Sequence, residues 1–480
     1  MKRFRITASF LALAALIAAC ADTPTETPLA PDGTPLLSET AGDFEATELS
    51  LVVFSGQRLP NNHARIIGDH GGTVVAAYGP IGVAVVDGLT DEAAAALEGQ
   101  SGVFAVMPDY LIPVELPDDI AVEEFVLGEI ANDNPETAFF FPRQWHLQAI
   151  DAPAAWAAGY TGSSDVTVAI LDTGLGYLHA DLFGLVDLSR SASFVPSDDA
   201  LVQAFFPGAH PVADLHWHGT HVGATVASNA LAAAGVTSKT TLIGVKVCNV
   251  NGSCPTSGVL AGLMFAADQG ADIANLSLGG LFQKSANPGF VSVINRAYNY
   301  ANRQGMAIVV AAGNANFDLD RDMAPDGTRY PSLYASYCNS PHAVCVSATG
   351  PLTAASVNGP WTELDTRAAY SNFGRSAIDV AAPGGRGLPG GGGAVWAACS
   401  NFSLQIPVCQ TGTFVLGATG TSMASPHAAG VAALIAANGA RNAAQIRNRL
   451  HQTADDIGDP GTDPFFGKGR VNAARAVGAY

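Results

Sequence analysis

The sequence has few charged residues, and basic residues are the scarcer kind. Charged side chains make up 14% of the 480 residues, and 23 Lys and Arg stand against 42 Asp and Glu, for a formal net charge of -19. Nucleic-acid binding needs a basic patch, and the Lys and Arg form no visible patch in the sequence, so we expect no nucleic-acid partner. Apolar residues make up 48%, which is enough for a large buried core and predicts a globular protein.

A long apolar run is also missing. After a basic start, the apolar stretch at the N-terminus extends only from Phe10 to Ala19 and is too short to span a bilayer. This pattern is typical of a secretory signal peptide. Its end, Ile17-Ala18-Ala19-Cys20, resembles a bacterial lipoprotein box and implies a lipid on Cys20; a plain signal peptide with an incidental cysteine is the alternative. We therefore expect export from a bacterial cell as a membrane-anchored lipoprotein, with a released extracellular mature form as the alternative.

Cysteine is nearly absent from the first half of the chain. Cys20 stands alone there, and the other six of the 7 cysteines form three close pairs in sequence. None belongs to a Cys-x-x-Cys motif, so disulfides fit an exported chain better than metal ligation. Six cysteines allow fifteen connectivities, and proximity in sequence favours the local one. The expected disulfides are Cys248 with Cys254, Cys338 with Cys345, and Cys399 with Cys409.

Composition divides the chain into five parts. Residues 1–20 are the predicted signal peptide, and residues 21–45, rich in Pro, Thr, Glu and Asp, are a disordered tether. Residues 46–115 have a β-α-β-β-α-β pattern, which predicts a small α+β ferredoxin-like domain whose second helix is capped by Thr90. Residues 116–143 are polar with little periodicity and predict an exposed linker.

The last part, residues 144–480, alternates apolar strands with Ala-rich helices. This alternation predicts an α/β domain with helices on both faces of a parallel sheet. The Gly-rich stretch 384–393 predicts a flexible surface loop. The predicted buried strands lie at 166–171, 241–247, 273–278, 307–311 and 343–347.

Three segments of this part carry residues suited to nucleophilic catalysis. Asp172-Thr173-Gly174 ends a buried strand, His218-Gly219-Thr220-His221 opens a helix, and Gly420-Thr421-Ser422-Met423-Ala424 opens another. A serine hydroxyl attacks efficiently only when an imidazole accepts its proton and a carboxylate orients that imidazole. In these motifs and their order, the sequence from about Gln144 to Tyr480 resembles the subtilisin-like serine proteases.

The resemblance implies a serine endopeptidase that hydrolyses peptide bonds through an acyl-enzyme on Ser422. His218 would be the general base and then acid, Asp172 the orienting carboxylate, and Asn314 an oxyanion-hole donor beside the Ser422 N–H. The segments expected to bind the substrate backbone and flank its specificity pocket are Ser277, Leu278, Gly279 and Gly280, with Ala311, Ala312 and Gly313.

Further expectations follow from the same resemblance. Residues 46–115 would be a propeptide that inhibits its own enzyme, and the other partner would be a protein or peptide substrate; we expect a monomer. Catalysis needs no cofactor. A structural calcium ion is compatible with the resemblance, with Asp181 as its weak candidate ligand and Gln144 and Asn229 as loosely placed partners, but the loop after Asn229 has few side-chain oxygens. The cysteine pairs point toward a branch similar to proteinase K.

Other functions are less well supported by the sequence. A catalytically silent binding protein on the same fold is the main alternative, because fold alone does not fix function. An aspartic protease would need a second Asp-Thr/Ser-Gly copy, which the sequence lacks. His218 and His221 have neither an intervening Glu nor a nearby third ligand for a metal. We therefore expect His221 and His427 to be structural.

Overall fold

The computed structural model describes residues 4–7, 44–116, 119–126, 134–440 and 442–480. The lipidation candidate Cys20 and nearly all of the predicted tether lie outside the described residues. In the described part of the chain, no helix combines the length and the apolar character needed to cross a membrane. Residues Phe4–Thr7 form strand β1.

Residues 46–113 form the predicted β-α-β-β-α-β unit. Its strands are antiparallel in the order β5-β2-β4-β3. Thr90 caps the second helix as expected, because its Oγ1 accepts a hydrogen bond of 3.2 Å from the Ala93 N–H. The elements are β2 (Ala46–Phe54), α1 (His63–Gly68), β3 (Thr73–Tyr78), β4 (Val83–Asp87), α2 (Asp91–Glu98) and β5 (Val103–Pro113).

The two faces of this sheet have different partners. Alternate residues of a strand point to opposite faces, and in β2 Val52 belongs to a core shared with α1 and α2. Its neighbour Leu51 belongs instead to the large core that contains Leu260 and Phe290 of the following domain. The small sheet is therefore packed against the rest of the molecule through one whole face.

The remaining residues form the predicted α/β domain. Its strands are β6 (Asp119–Phe125), β7 (Thr167–Asp172), β8 (Ala192–Ser193), β9 (Thr241–Lys246), β10 (Ser253–Pro255), β11 (Ile273–Leu276), β12 (Leu281–Gln283), β13 (Ala307–Ala311), β14 (Leu333–Ala335), β15 (Ala343–Gly350), β16 (Thr353–Ala354), β17 (Trp361–Thr362), β18 (Thr366–Arg367), β19 (Val380–Pro383), β20 (Val395–Ala398) and β21 (Thr413–Ala418). Its helices are α3 (Trp145–Ala149), α4 (Ala152–Ala157), α5 (Pro196–Phe205), α6 (His218–Val226), α7 (Thr256–Asp268), α8 (Pro288–Arg303), α9 (Thr421–Ala437), α10 (Ala443–Thr453) and α11 (Ala473–Val477).

The central sheet has the order β18-β15-β13-β11-β7-β9-β8, with β19 beside β15. Every pair in it is parallel except β15 with β18. In β7, Val168 and Ile170 face the core formed with α6 and α9, whereas Ala169 and Leu171 face the core formed with α7 and α8. Helices therefore cover both faces, as predicted, and the carboxyl ends of the strands meet at one edge, where α/β proteins place their sites.

Strand β6 corrects the prediction that residues 116–143 are an exposed linker. It pairs antiparallel with β21 on one side and with β1 on the other. Val122 is buried in the core, and Glu123 forms an ion pair of 2.7 Å with Arg143 in which both side chains are largely buried. The Glu123 charge, one of those that suggested a solvated linker, is therefore paired within the domain.

Candidate active site

The carboxyl end of β7 and the first residue of α6 bring Asp172 and His218 together. Both side chains are fully buried, and His218 Nδ1 lies 2.8 Å from Asp172 Oδ1. The same oxygen accepts a 2.7 Å hydrogen bond from the Thr173 N–H. Since a carboxylate only accepts, the His218 proton resides on Nδ1. Its Nε2 has no hydrogen-bond partner among the described residues and carries a free lone pair.

Ser422 is the second residue of α9, and its side chain is held by the segment after β11. Its Oγ donates a 3.1 Å hydrogen bond to the Ser277 carbonyl, and the Ser277 hydroxyl donates one of 2.8 Å to the Ser422 carbonyl. Ser425 and Asn275 complete this buried network. At the start of a helix the Ser422 N–H has no intrahelical acceptor, and the helix dipole favours negative charge there.

Asn314 follows β13 and is fixed to the start of α9. Its Oδ1 accepts hydrogen bonds from the N–H and the hydroxyl of Thr421, at 2.9 Å and 2.8 Å. The Thr421 hydroxyl also accepts from the Gly313 N–H at 3.1 Å. With Oδ1 occupied, the Nδ2 group is the donor that remains for a ligand. Thr421 had no assigned role in the sequence analysis; its one sequence signal is its place beside Ser422.

Asp214 is a second residue that the sequence analysis missed. Its buried carboxylate accepts from the Thr173 hydroxyl at 2.8 Å, from the His216 N–H at 3.0 Å, and from the N–H and hydroxyl of Thr220 at 2.9 Å and 2.5 Å. Burial raises the pKa of Asp214, although these hydrogen bonds oppose the shift. Asp214 thereby joins the end of β7 to the first turn of α6. Its position four residues before His218 was the available signal.

The other histidines of these helices are structural, as expected. His221 Nε2 lies 3.1 Å from the carbonyls of Val395 and Leu416, and burial lowers its pKa to about 3. His427 Nδ1 lies 2.7 Å from the Met423 carbonyl, and burial lowers its pKa to about 4. His221 thus joins α6 to β20 and β21, and His427 joins α9 to α3, because its Nε2 lies 2.8 Å from His146 Nδ1. Among the described residues no group of His, Cys, Asp and Glu is arranged to hold a metal ion.

Asp181, the candidate calcium ligand, faces hydrogen-bond donors. Its Oδ1 accepts from the N–H groups of Leu231 and Ala232 at 2.9 Å and 2.8 Å, and its Oδ2 accepts from Ala233 at 3.0 Å. The Gln144 Oε1 accepts from the Ala234 N–H at 2.9 Å. A cation needs these oxygens to point toward a common centre lined by oxygens. The N–H groups occupy that side of the carboxylate, so the residues present do not fit a calcium ion.

The three disulfides have the expected pairs: Cys248–Cys254, Cys338–Cys345 and Cys399–Cys409. The first closes the short loop that ends in β10, and Cys254 is a residue of that strand. A small closed loop restricts the backbone near the active site. This disulfide therefore holds β10 in place beside the site.

The end of the small domain lies in the cleft. Strand β5 pairs antiparallel with β10, with Ile112 opposite Cys254, and the Val114 N–H donates a 2.7 Å hydrogen bond to the Gly252 carbonyl. The Asn314 N–H donates to the carboxylate of Glu115.

Of the predicted substrate-binding residues, Gly313 lies beside this segment, because the Glu115 Oε1 is 3.6 Å from the position that a Cβ on Gly313 would take. Ala311 is the last residue of β13, Ala312 and Gly313 follow it, and Leu278 is buried in the core. Gly280 is anchored by Ser336, whose Oγ accepts from the Gly280 N–H and whose N–H donates to the Gly280 carbonyl, both at 2.8 Å.

Comparison with known proteins is consistent with this geometry. The family model of peptidase S8, the subtilase family, matches residues 163–469. Thermitase from Thermoactinomyces vulgaris is 34% identical over 346 residues, which cover 72% of this chain and 99% of that protein. M-protease from Shouchella clausii (strain KSM-K16) is 31% identical over 373 residues, which cover 76% of this chain and 79% of that protein.

A solved structure extends the likeness of the fold beyond the matched region. The crystal structure of the epidermin leader peptide processing serine protease from Staphylococcus aureus is 19% identical, has a TM-score of 0.68, and covers 89% of this chain and 97% of that one. Family model, relatives and fold agree, and the chain accordingly belongs to the subtilase family and is a serine endopeptidase.

Proposed function

We propose that Asp172, His218 and Ser422 are the catalytic triad of this endopeptidase. The observation that carries the proposal is the buried 2.8 Å contact between His218 Nδ1 and Asp172 Oδ1, which leaves Nε2 as the proton acceptor. The Ser422 hydroxyl turns from the Ser277 carbonyl toward Nε2 when substrate binds; hydrogen bonds of this kind commonly form only in the substrate complex.

The chemistry then proceeds in two steps. Ser422 Oγ attacks the substrate carbonyl carbon while His218 takes its proton, and Asp172 stabilises the resulting imidazolium. The Asn314 Nδ2 group and the Ser422 N–H donate to the oxyanion. His218 next gives the proton to the leaving amine, and a water molecule activated by the same imidazole hydrolyses the acyl-enzyme.

Covalent labelling tests this assignment directly. A fluorophosphonate probe reacts only with an activated serine, so the mature wild-type protein should be labelled, with the adduct on Ser422 by peptide mass spectrometry. A catalytically silent binding protein on the same fold would remain unlabelled. Labelling of a different serine would refute the triad while leaving the peptidase activity in place.

The small domain 46–115 is proposed to inhibit its own enzyme. Two contacts support this: its last strand fills the cleft beside β10, and its Asp109 caps α7. The Asp109 carboxylate accepts from the N–H and the hydroxyl of Ser257 at 2.8 Å and 2.6 Å. An acidic group at a helix N-terminus is stabilising, so the domain both blocks the cleft and supports the fold of the enzyme around it.

Export and membrane attachment through Cys20 are also proposed, from the sequence alone. Two or three acyl chains anchor a protein stably where one does not. The Cys20→Ala variant should therefore move from the membrane pellet to the soluble export fraction, measured by fractionation and immunoblotting. A variant that stays in the pellet to the same extent would contradict the anchor.

We further propose that the calcium site suggested by the family resemblance is replaced by the N–H groups around Asp181. EGTA should then leave the melting temperature of the purified protein unchanged. Asp181→Asn should lower it, because an amide NH₂ would face one of the three N–H donors, at a cost of about 1–3 kcal/mol. A melting temperature that falls in EGTA, returns with calcium, and loses this response in Asp181→Asn would contradict the proposal.

A further inference from the structure

The chain is hydrogen-bonded to the α/β domain both before and after Glu115 and Leu116. On the upstream side, Val114 is hydrogen-bonded to Gly252 in the cleft. On the downstream side, Ala121 of β6 pairs with Gly417 of β21, the strand that leads into α9 and Ser422. Because β6 and β21 are antiparallel, moving back along β6 from Ala121 means moving forward along β21 toward Ser422. Glu115 and Leu116, the described residues that directly follow Val114, are therefore the candidates for the two sides of a scissile bond.

The side chain of Glu115 enters the site. The Asn314 N–H donates to one of its carboxylate oxygens. Its Oε1 lies 3.6 Å from the position that a Cβ on Gly313 would take, and Gly313 has a φ of +95°. A side chain at position 313 would be strained and would narrow the space that Glu115 uses. The next residue, Leu116, is 47% exposed and lies outside this space.

The surroundings of the Glu115 carboxyl contain no compensating cation. Among the described residues no Lys, Arg or His forms an ion pair with it, and its one polar partner is a backbone N–H. Burial raises the pKa of Glu115 to about 7. A pocket of this kind holds a neutral carboxyl or a carboxamide better than a charged carboxylate, and it has nothing to pair with a buried ammonium group.

We propose, on the basis of the function proposed above, that the chain cuts itself between Glu115 and Leu116, and that its pocket for the residue before the scissile bond takes long side chains ending in an uncharged hydrogen-bond acceptor. In the step itself, Ser422 Oγ bonds to the Glu115 carbonyl carbon and the bond from that carbon to the Leu116 nitrogen breaks. The serine proton passes through His218 to the Leu116 nitrogen. Water then hydrolyses the Glu115 ester and regenerates the Ser422 hydroxyl.

The product retains the strand that follows the cut. Leu116 becomes the new N-terminus, and β6 stays in the enzyme through its pairing with β21 and through the ion pair of Glu123 with Arg143. The small domain leaves with Glu115 as its last residue. This division agrees with β6 being part of the α/β domain and not a linker.

The first test is the N-terminus of the mature wild-type protein, determined by Edman degradation and intact mass. Leu116 is expected. The second test uses the full chain: Glu115→Gln should mature at the same bond, whereas Glu115→Lys, of similar length but cationic, should mature at least about tenfold more slowly.

Peptides keep the proposal testable if a variant fails to fold. On substrates that carry Ile-Pro-Val-X before the scissile bond, the mature enzyme should have a kcat/KM at least about tenfold higher for X = Gln than for X = Lys. Active enzyme with a different N-terminus, or one that prefers Lys, would overturn this inference and leave the triad intact. A protein that neither matures nor cuts any peptide would overturn the proposed function itself.

Discussion

Replacing Ser422 with Ala is expected to give a folded precursor that is neither cut nor able to cut. The change removes the nucleophile and one hydrogen bond, the 3.1 Å contact to the Ser277 carbonyl. Alanine is the best helix former, so α9 should begin as before. The turnover number on peptide substrates should fall by about 10⁶-fold, the loss expected when the nucleophile of a serine triad is removed. Maturation should stop for the same reason, because the chain would lack the enzyme that processes it.

The measurement is an immunoblot of cells that lack other exported peptidases, together with circular dichroism of the purified precursor. Ser425→Ala is a matched control from the same face of α9. It removes a buried hydroxyl that donates to Asn275 Oδ1 at 2.9 Å and should lower stability while maturation continues. If the Ser422→Ala chain appeared at the mature length in such cells, self-processing would be wrong.

The buried strands of the α/β domain could be predicted because their sequence is continuous and apolar. Strands β7 and β13 were placed within a residue or two, since both faces of a central parallel strand are covered and every position between two turn signals must be apolar. The Thr90 cap was predictable for a similarly local reason. Its side chain bonds an N–H three residues ahead, so no distant part of the chain is needed to recognise it.

Strand β6 could not be predicted, because what stabilises it is distant in sequence. Its pattern is interrupted by Glu123 and Glu124, which in isolation indicate solvent. The partner of Glu123 is Arg143, whose guanidinium also lies 4.8 Å from the centre of the Trp396 ring. The strand beside it, β21, is nearly three hundred residues further along the chain. The pairing of β6 with β21 outweighs the low strand propensity of the glutamates in β6.

The Gly-rich stretch 384–393 was predicted to be a flexible surface loop, but only its middle is exposed. Its two ends are buried, and a Cβ on Gly384 would lie 2.6 Å from the Ala348 Cβ and 2.7 Å from the Gly420 carbonyl. The Gly420 N–H donates a 2.9 Å hydrogen bond to the Gly384 carbonyl. Glycine is required there because two backbone segments approach closely beside the start of α9. Composition alone does not distinguish glycines needed for close packing from glycines of a flexible loop.

The places of the proposed catalytic residues in the fold could be predicted to the extent that these residues belong to compact motifs. Asp172 ends a strand, and His218 and Ser422 lie at helix starts, as local sequence indicates. Asp214 and Glu115 have no such motif. Their roles follow from which N–H groups they meet, and those groups come from segments that only the folded chain brings together.

Asp172→Asn separates the charge of the triad from its geometry. Asp172 Oδ1 accepts from both the Thr173 N–H and the His218 Nδ1–H, at 2.7 Å and 2.8 Å. An asparagine would keep the shape of Asp172 but lose the negative charge that stabilises the imidazolium. Its NH₂ group can also face His218 Nδ1, which favours the tautomer with the proton on Nε2, where the serine proton has to be accepted.

The expected result is a fall in kcat of about 10⁴-fold, the order of loss known for this substitution in serine proteases, with little change in KM and a parallel fall in the rate of fluorophosphonate labelling. Asp214→Asn is the matched control, because Asp214 is equally buried and lies beside the triad without touching His218. Its carboxylate accepts hydrogen bonds from four donors, so the loss of one acceptor should lower the melting temperature. The fall in kcat should be far smaller than in Asp172→Asn. Stopped-flow acylation and thermal melts of both variants give the two quantities. If the Asp172→Asn enzyme retained a tenth of wild-type kcat, the charge on Asp172 would not be what drives proton transfer through His218. If the Asp214→Asn enzyme lost as much kcat while still fully folded, the loss would not be specific to Asp172.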